Sequence, residues 1–369
     1  MMKVMHLVAA PGDPRAVSGP EVLVRDVLLP MSGRFGMEAS CAVTGPSRAA
    51  EQMTQRGWQV HTLPYEGWRS GVRFRRDLSR LLRSERPDLL VSHGHCLLDA
   101  LVSGTCSRLG FPHAIVRYVV LEDMRRSWWR RLLLRRADNR ALRRASAVVF
   151  ASPSSRRRAV DRLGLDPERA VFISVPIDLE RFRPAETPPP QPTVIAVGQL
   201  TAEKGWEFFV DALGRVRREI GDGFLARIYG SGPLKSELRR RIRLASLENI
   251  AELIDHCDDM PGALRQGWIY CSTSRREGLS IAAAEAAACG LPLVLSKVSG
   301  SDVLVEVAEN GYIESIGDTL AVAERIVRLL RDDALREKMS IASRRRAEKL
   351  FDRATIEKHY AELFRRAVG

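Results

Sequence analysis

Short apolar runs recur along this chain, and each gives way to a longer stretch with helical spacing. In the first half the runs at 4–10, 39–44, 59–63, 89–92, 114–119 and 147–151 read as strands. In the second half 193–197, 226–229, 250–253, 268–272 and 293–296 do the same, and helix-rich sequence follows to the end. Strands alternating with helices imply parallel βα units, because a parallel pair needs a crossover that a helix supplies. At 369 residues the chain exceeds one ordinary core. The expectation is α/β, two Rossmann-like doubly wound domains with a cleft between them. Ligands should then bind at the carboxyl ends of both sheets. Residues 184–192 hold five prolines and read as the linker. Domain one is taken as 1–185 and domain two as 186–352.

Composition narrows the setting. The net charge is +13, which speaks of partners and not of fold. Nucleic acid, anionic lipid and nucleotide diphosphates all fit that charge. A nucleic-acid partner is not expected, since no aromatic stacking motif or reading helix accompanies it. Six scattered cysteines without a Cys-x-x-Cys pair suggest buried free thiols in a reducing cytosol. No Asp-x-Asp or His cluster suggests a metal, so neither metal nor cofactor is expected. The first residues read as a strand, too short in apolar run for a signal peptide. No stretch approaches the ~18 apolar residues of a membrane span. A cytoplasmic protein, peripheral on the inner face of the plasma membrane, is the expectation. Nine arginines fall in 125–144, around Trp128 and Trp129. That segment reads either as an interfacial helix on anionic headgroups or as a packed helix with solvated arginines.

Chemistry concentrates in 274–292. Glu277 precedes Gly278 at a strand-to-helix turn, and Glu285 lies inside an Ala-rich helix that Gly290 and Pro292 stop. A carboxylate in an apolar helix is costly to bury alone. A neighbouring Arg or backbone amide could satisfy Glu285, and so could a ligand's hydroxyls.

Glu-Gly-Leu-Ser at 277–280, the second carboxylate at 285 and Ala-Cys-Gly-Leu-Pro-Leu-Val at 288–294 together resemble the nucleotide-sugar signature of retaining glycosyltransferases, GT-B fold, family 4. Other segments fit that family in order. Gly198-Gln199-Leu200-Thr201-Ala202-Glu203-Lys204-Gly205 resembles its phosphate-gripping segment, with Gln199 in the place of an Arg. Tyr229-Gly230-Ser231-Gly232-Pro233 resembles its Gly-x-Gly-Pro turn. Ser18-Gly19-Pro20-Glu21 resembles its Gly-Gly-x-Glu loop, with Ser18 replacing the first Gly. Arg86-Pro87-Asp88 through His93 resembles its strand closing on a histidine; His95 lies two residues on. Tyr118 stands where many members carry an active-site histidine, and Val175-Pro176 replaces Asn-Gly before Asp178–Phe182.

The resemblance implies a hexosyltransferase using a nucleoside-diphosphate sugar, with a cell-surface glycan or glycolipid as acceptor. Glu277 with the Gly278 and Leu279 amides would hold the hexose, and Glu285 the ribose diol. Lys204, with Gln199, Gly198, Gly232 and Gly19, would line the donor, Arg275 or Arg276 making up the charge that Gln199 lacks. His93 is the candidate base. The last helix, after Phe351-Asp352-Arg353, would return to domain one as 353–369. Gln199 and Tyr118 also motivate a binding protein of this fold without turnover. Another enzyme of the fold, such as a glycan phosphorylase or sugar-nucleotide epimerase, is a further alternative.

Overall fold

A computed structural model of the chain describes residues 1–10, 18–94, 96–117, 128–255 and 257–369, with only the backbone of Trp68 and 128–133. The chain divides into two compact units, Met1–Val175 with Ala354–Gly369, and Pro176–Arg353.

Unit 1 is built on seven parallel strands: β1 (Met2–Val8), β2 (Met37–Val43), β3 (Val60–Thr62), β4 (Leu89–His93), β5 (His113–Arg117), β6 (Ala147–Phe150) and β7 (Ala170–Phe172). Their order is β3-β2-β1-β4-β5-β6-β7. The helices are α1 (Gly19–Leu23), running through a π-helical turn at Val24–Leu28 into α2 (Leu29–Arg34), then α3 (Arg48–Gln55) and α4 (Gly71–Glu85). After these come α5 (Cys96–Leu109), α6 (Trp128–Arg144) and α7 (Pro153–Leu163). Side-chain alternation along the strands splits the core in two. Val4, Val8, Leu89, Val91, Ala114 and Val116 face α1 to α3 and the C-terminal helix. Met5, Leu7 and Leu90 meet Phe74, Leu78 and Leu82 of α4 and Leu98 and Val102 of α5. On that same face Ile115, Val148 and Phe150 meet α6 and α7. Both faces are covered, so the strands are mainly apolar, as buried parallel strands are, with His6, Ser92, His93, His113 and Arg117 as buried polar exceptions.

Unit 2 has six parallel strands: β8 (Thr193–Val197), β9 (Leu225–Tyr229), β10 (Ala251–Ile254), β11 (Ile269–Ser272), β12 (Leu293–Ser296) and β13 (Gly311–Glu314), in the order β10-β9-β8-β11-β12-β13. Its helices are α8 (Trp206–Ile220), α9 (Lys235–Leu244), α10 (Met260–Arg265), α11 (Ile281–Ala288), α12 (Ser301–Leu304), α13 (Thr319–Arg331) and α14 (Asp333–Phe351). The last helix, α15 (Arg353–Val368), packs Ile356, Tyr360 and Phe364 into the core of unit 1.

Two readings of the sequence need correction. The boundary lies at Val175, ten residues before the expected 185, and the proline-rich 184–192 is part of unit 2. The cause is a set of local bonds. Ile177 N–H donates to the Phe351 carbonyl at 3.1 Å, the Arg344 guanidinium binds the Phe182 carbonyl at 2.7 Å, and the Trp268 indole N–H binds the Pro189 carbonyl at 2.8 Å. Strands β7 and β13 are additional. β7 is three residues long, and β13 begins at Gly311, where an added Cβ would overlap the Leu293 backbone. Neither carries a long apolar run.

Candidate functional site

At the carboxyl ends of the unit 2 strands, three loops meet backbone to backbone. The loop after β8 is held to the loop after β9 by Gly198 N–H to the Tyr229 carbonyl at 3.0 Å and Leu200 N–H to the Ser231 carbonyl at 2.8 Å. A side chain at Gly230 would overlap the Gly198 carbonyl, and one at Gly232 would lie 2.7 to 2.9 Å from the Leu200 backbone. Glycine at both positions is therefore a packing requirement. Gly205 takes the left-handed conformation at φ +62°, its carbonyl accepting from Thr273 Oγ1 at 2.9 Å. Arg275 N–H donates to the Glu203 carbonyl at 2.7 Å, which ties this loop to the one after β11.

That scaffold brings Lys204 and Glu277, 73 residues apart in sequence, to 2.6 Å between Nζ and Oε1. Ser274 Oγ holds the other Glu277 oxygen at 2.9 Å. Gly278 and Leu279 follow, half-buried. Ser280 then caps α11, its hydroxyl accepting from Ala283 N–H at 3.3 Å. The other end of α11 closes as a Schellman turn: Gly290 N–H binds the Ala287 carbonyl at 2.9 Å and Leu291 N–H the Ala286 carbonyl at 3.0 Å, with Gly290 at φ +79°.

Glu285 sits on α11 among Ala283, Ala284, Ala286 and Ala287, all buried. Among the described residues its carboxylate makes no hydrogen bond or ion pair. Burial pushes it up to about 7, against the opposing pull of the Arg181 guanidinium. Neither a neighbouring Arg in direct contact nor a backbone amide satisfies it. Tyr270 of β11 lies fully buried below, its hydroxyl 3.4 Å from the Val197 carbonyl.

The remaining expected donor-side residues divide. Gln199 is exposed, and only its carbonyl is engaged, by the Trp206 indole N–H at 2.9 Å. Arg275 pairs with Glu207 and lies over the Phe208 ring at 4.3 Å, while Arg276 faces Glu203 at 3.6 Å. Each guanidinium thus meets a carboxylate, Arg275 that of Glu207 and Arg276 that of Glu203, beside the Lys204–Glu277 pair in sequence. The residues that sequence reasoning passed over are Ser274, Thr273 and Arg181. Arg181 lies in the quoted segment Asp178–Phe182, and the placement of that segment in unit 2 is what gives it a role.

In unit 1, His93 ends β4 as expected, but its side chain is fully buried, with Nε2 3.1 Å from His6 Nδ1 and the His6 ring against Phe364. Burial, then the neighbouring His6, lowers His93 well below the usual histidine range. A ring closed off from solvent cannot take a proton from an acceptor, so His93 is corrected to a core residue. Gly19 is exposed at the start of α1. Glu21 is wholly structural: its carboxylate accepts from Ser18 N–H at 2.8 Å and Ser18 Oγ at 2.9 Å, and from Ser47 Oγ. Tyr118 and His95 lie outside the described residues, as do 125–127 and the side chains of Trp128, Trp129, Arg130 and Arg131.

Comparison with known proteins bears on this arrangement. The family model described as Glycosyltransferase Family 4 matches residues 18–181, and that described as Glycosyl transferases group 1 matches 178–346. The chain belongs to the GT-B glycosyltransferases. Its relatives in this family include alpha-D-kanosaminyltransferase of Streptomyces kanamyceticus, 27% identical over 55% of this chain and 56% of that one. The amylovoran biosynthesis glycosyltransferase AmsK of Erwinia amylovora is 27% identical over 56% of this chain and 50% of its own. The matches therefore span about half the length of these curated relatives. Among solved structures, Anabaena HepE in complex with UDP-glucose superposes with a TM-score of 0.81 at 20% identity, covering 99% of this chain and 100% of HepE. At that identity the likeness establishes the two-unit GT-B fold.

Proposed function

We propose that this chain transfers a hexose from a nucleoside-diphosphate sugar to an acceptor hydroxyl with retention of the α-configuration. The observation that carries the reading is the unit 2 constellation. A lysine, a carboxylate and a helix N-terminus converge at the sheet's carboxyl end, and a second carboxylate, without a partner among the described residues, stands one turn into that helix.

In this reading Glu285 accepts from the ribose diol, and its half-buried carboxylate, without a protein partner among the described residues, supports it. Lys204 and the amides at the start of α11 bind the diphosphate, stabilising the charge that gathers on it as the bond from anomeric carbon to phosphate oxygen breaks. Glu277 accepts from hexose hydroxyls, with Ser274 fixing its orientation. The acceptor oxygen bonds to the anomeric carbon on the face the diphosphate leaves, and its proton passes to the departing phosphate oxygen. The Lys204 ammonium and the helix amides supply this stabilisation, so the scheme calls on no metal. A uridine donor is favoured because the structurally similar HepE is seen with UDP-glucose. A cell-surface glycan or glycolipid acceptor is favoured by relatives such as AmsK, named for polysaccharide biosynthesis. An anionic membrane engaged through 125–144 would bring a lipid-linked acceptor to unit 1.

One observation favours a second reading, a donor-binding protein without turnover: Gln199 is exposed and carries no charge beside Lys204. Gln199→Arg separates the two. In an enzyme with a weakened clamp, the variant binds UDP-glucose more tightly or releases UDP faster. In a binder, UDP release stays at background although affinity improves.

A further inference from the structure

Residues 178–182 lie in unit 2 against the last turn of α11, and one side chain of α14 holds them there. Arg344 Nη1 reaches the Phe182 carbonyl at 2.7 Å, the Ala288 carbonyl at 2.9 Å and the Leu179 carbonyl at 3.2 Å. Carbonyls that share one donor in this way lie within about 6 Å of each other. Ala288 follows Glu285 by three residues, so the two share a face of α11. The segment is also fixed within itself. Asp178 Oδ1 accepts from Arg181 N–H at 3.0 Å, and the Asp178 carbonyl accepts from Phe182 N–H at 2.8 Å. The backbone of Arg181 is thereby set beside the helix that carries Glu285. Its exposed guanidinium, 5.6 Å from the Phe182 ring centre, meets no carboxylate among the described residues.

We propose that Arg181 is a positioning residue of the donor site, its guanidinium supplying the counter-charge against which the Glu285 carboxylate accepts from the ribose diol. The inference rests on the donor reading above and names a residue which that reading does not use. A charged carboxylate is the stronger acceptor, and burial works against the charge: it pushes Glu285 up to about 7, with Arg181 opposing it. A guanidinium suits the task because it keeps its own charge at every working pH. The other groups packed around Glu285 are neutral, engaged or exposed. Tyr270 and Cys271 of β11 and Cys289 beyond α11 are all raised by burial and stay neutral. Glu277 is bound by Lys204 and Ser274, Arg344 pairs with Glu348 at 2.7 Å, and Arg265 donates to the Arg181 carbonyl. Asp302 of α12 is exposed, and β12 carries no titratable side chain. Because Arg181 is itself exposed, solvent screens its pull, and the effect to look for is modest.

Calorimetry with UDP-glucose at about pH 6 and about pH 9 tests it, a range over which a diphosphate diester keeps its charge. Wild-type affinity should rise with pH as Glu285 ionises. Removing a nearby cation raises the pH at which a carboxylate ionises, so Arg181→Met should bind about three- to fivefold more weakly at the lower pH and like wild type at the higher. Arg181→Lys should restore the wild-type profile. Arg183→Met, which removes a neighbouring exposed arginine 3.8 Å from Glu186, should match wild type at both. In a Glu285→Gln background, Arg181→Met should change nothing, because the group it acts through no longer titrates. A loss of equal size at both pH values, or one that persists in that background, would put Arg181 on the donor itself and overturn the proposal. Wild-type binding by Arg181→Met at both pH values would overturn it too. In each case the donor reading stands if wild type binds UDP-glucose and Glu285→Gln weakens it. Absence of binding by wild type would overturn both.

Discussion

Glu285 is a carboxylate raised by burial, so its ionisation costs the folded protein stability. Its folded value, about 7, lies above its ordinary 4.5. The folded state therefore holds a proton that the unfolded state has lost between those two values. The stability tied to that proton is complete below the window and lost as pH rises through it. Glu285→Gln should accordingly match wild type in thermal midpoint below this window and exceed it above. The same variant should bind UDP-glucose more weakly, by roughly 1.5–3 kcal/mol above the window, where wild type is ionised and can accept fully from a diol. Thermal scans across pH with and without donor read both effects. Glu277 differs because Lys204 and Ser274 already hold it. If it steadies the hexose as bond breaking proceeds, Glu277→Gln should lower kcat by on the order of 10²-fold while changing donor KM little.

At the scale of elements, the site depends on loops that approach more closely than side chains permit. Gly300, at φ +88°, abuts the Gly278 carbonyl, so a methyl there would overlap it. Gly300→Ala should cost about 1–2 kcal/mol for the left-handed conformation alone. It should also displace Gly278, weakening donor binding in calorimetry while far-ultraviolet dichroism stays unchanged. These elements show what the sequence discloses and what it hides. The capped helix of Glu285, its Gly290 stop and the strand at 293–296 follow from local residue order, and so were readable. The buried ion pairs of Arg117 with Asp99 at 2.9 Å and Asp138 at 2.7 Å join a strand to two helices. No periodicity announces such pairs. The partnership of His6 with His93 spans 87 residues, so local order at the strand end points to a base where the fold makes a buried pair. Local pattern marks a residue's element; only the fold decides which way the side chain points and what it meets.

At the scale of the whole molecule, the two units have separate cores, and the proposed donor contacts of Lys204, Glu277 and Glu285 lie in unit 2. No helix among the described residues is long and apolar enough to cross a membrane. A ligand of the folded state raises stability by mass action, about 2.7 kcal/mol at a hundredfold excess over Kd. Titration calorimetry of UDP, GDP and ADP sugars against wild type, Lys204→Met and Glu285→Ala measures the central claim directly. The account predicts that at least one nucleotide sugar binds wild type, that Lys204→Met weakens the diphosphate contribution, and that Glu285→Ala loses roughly tenfold or more in affinity. Binding of none of these donors, or undiminished binding by both variants, would contradict it.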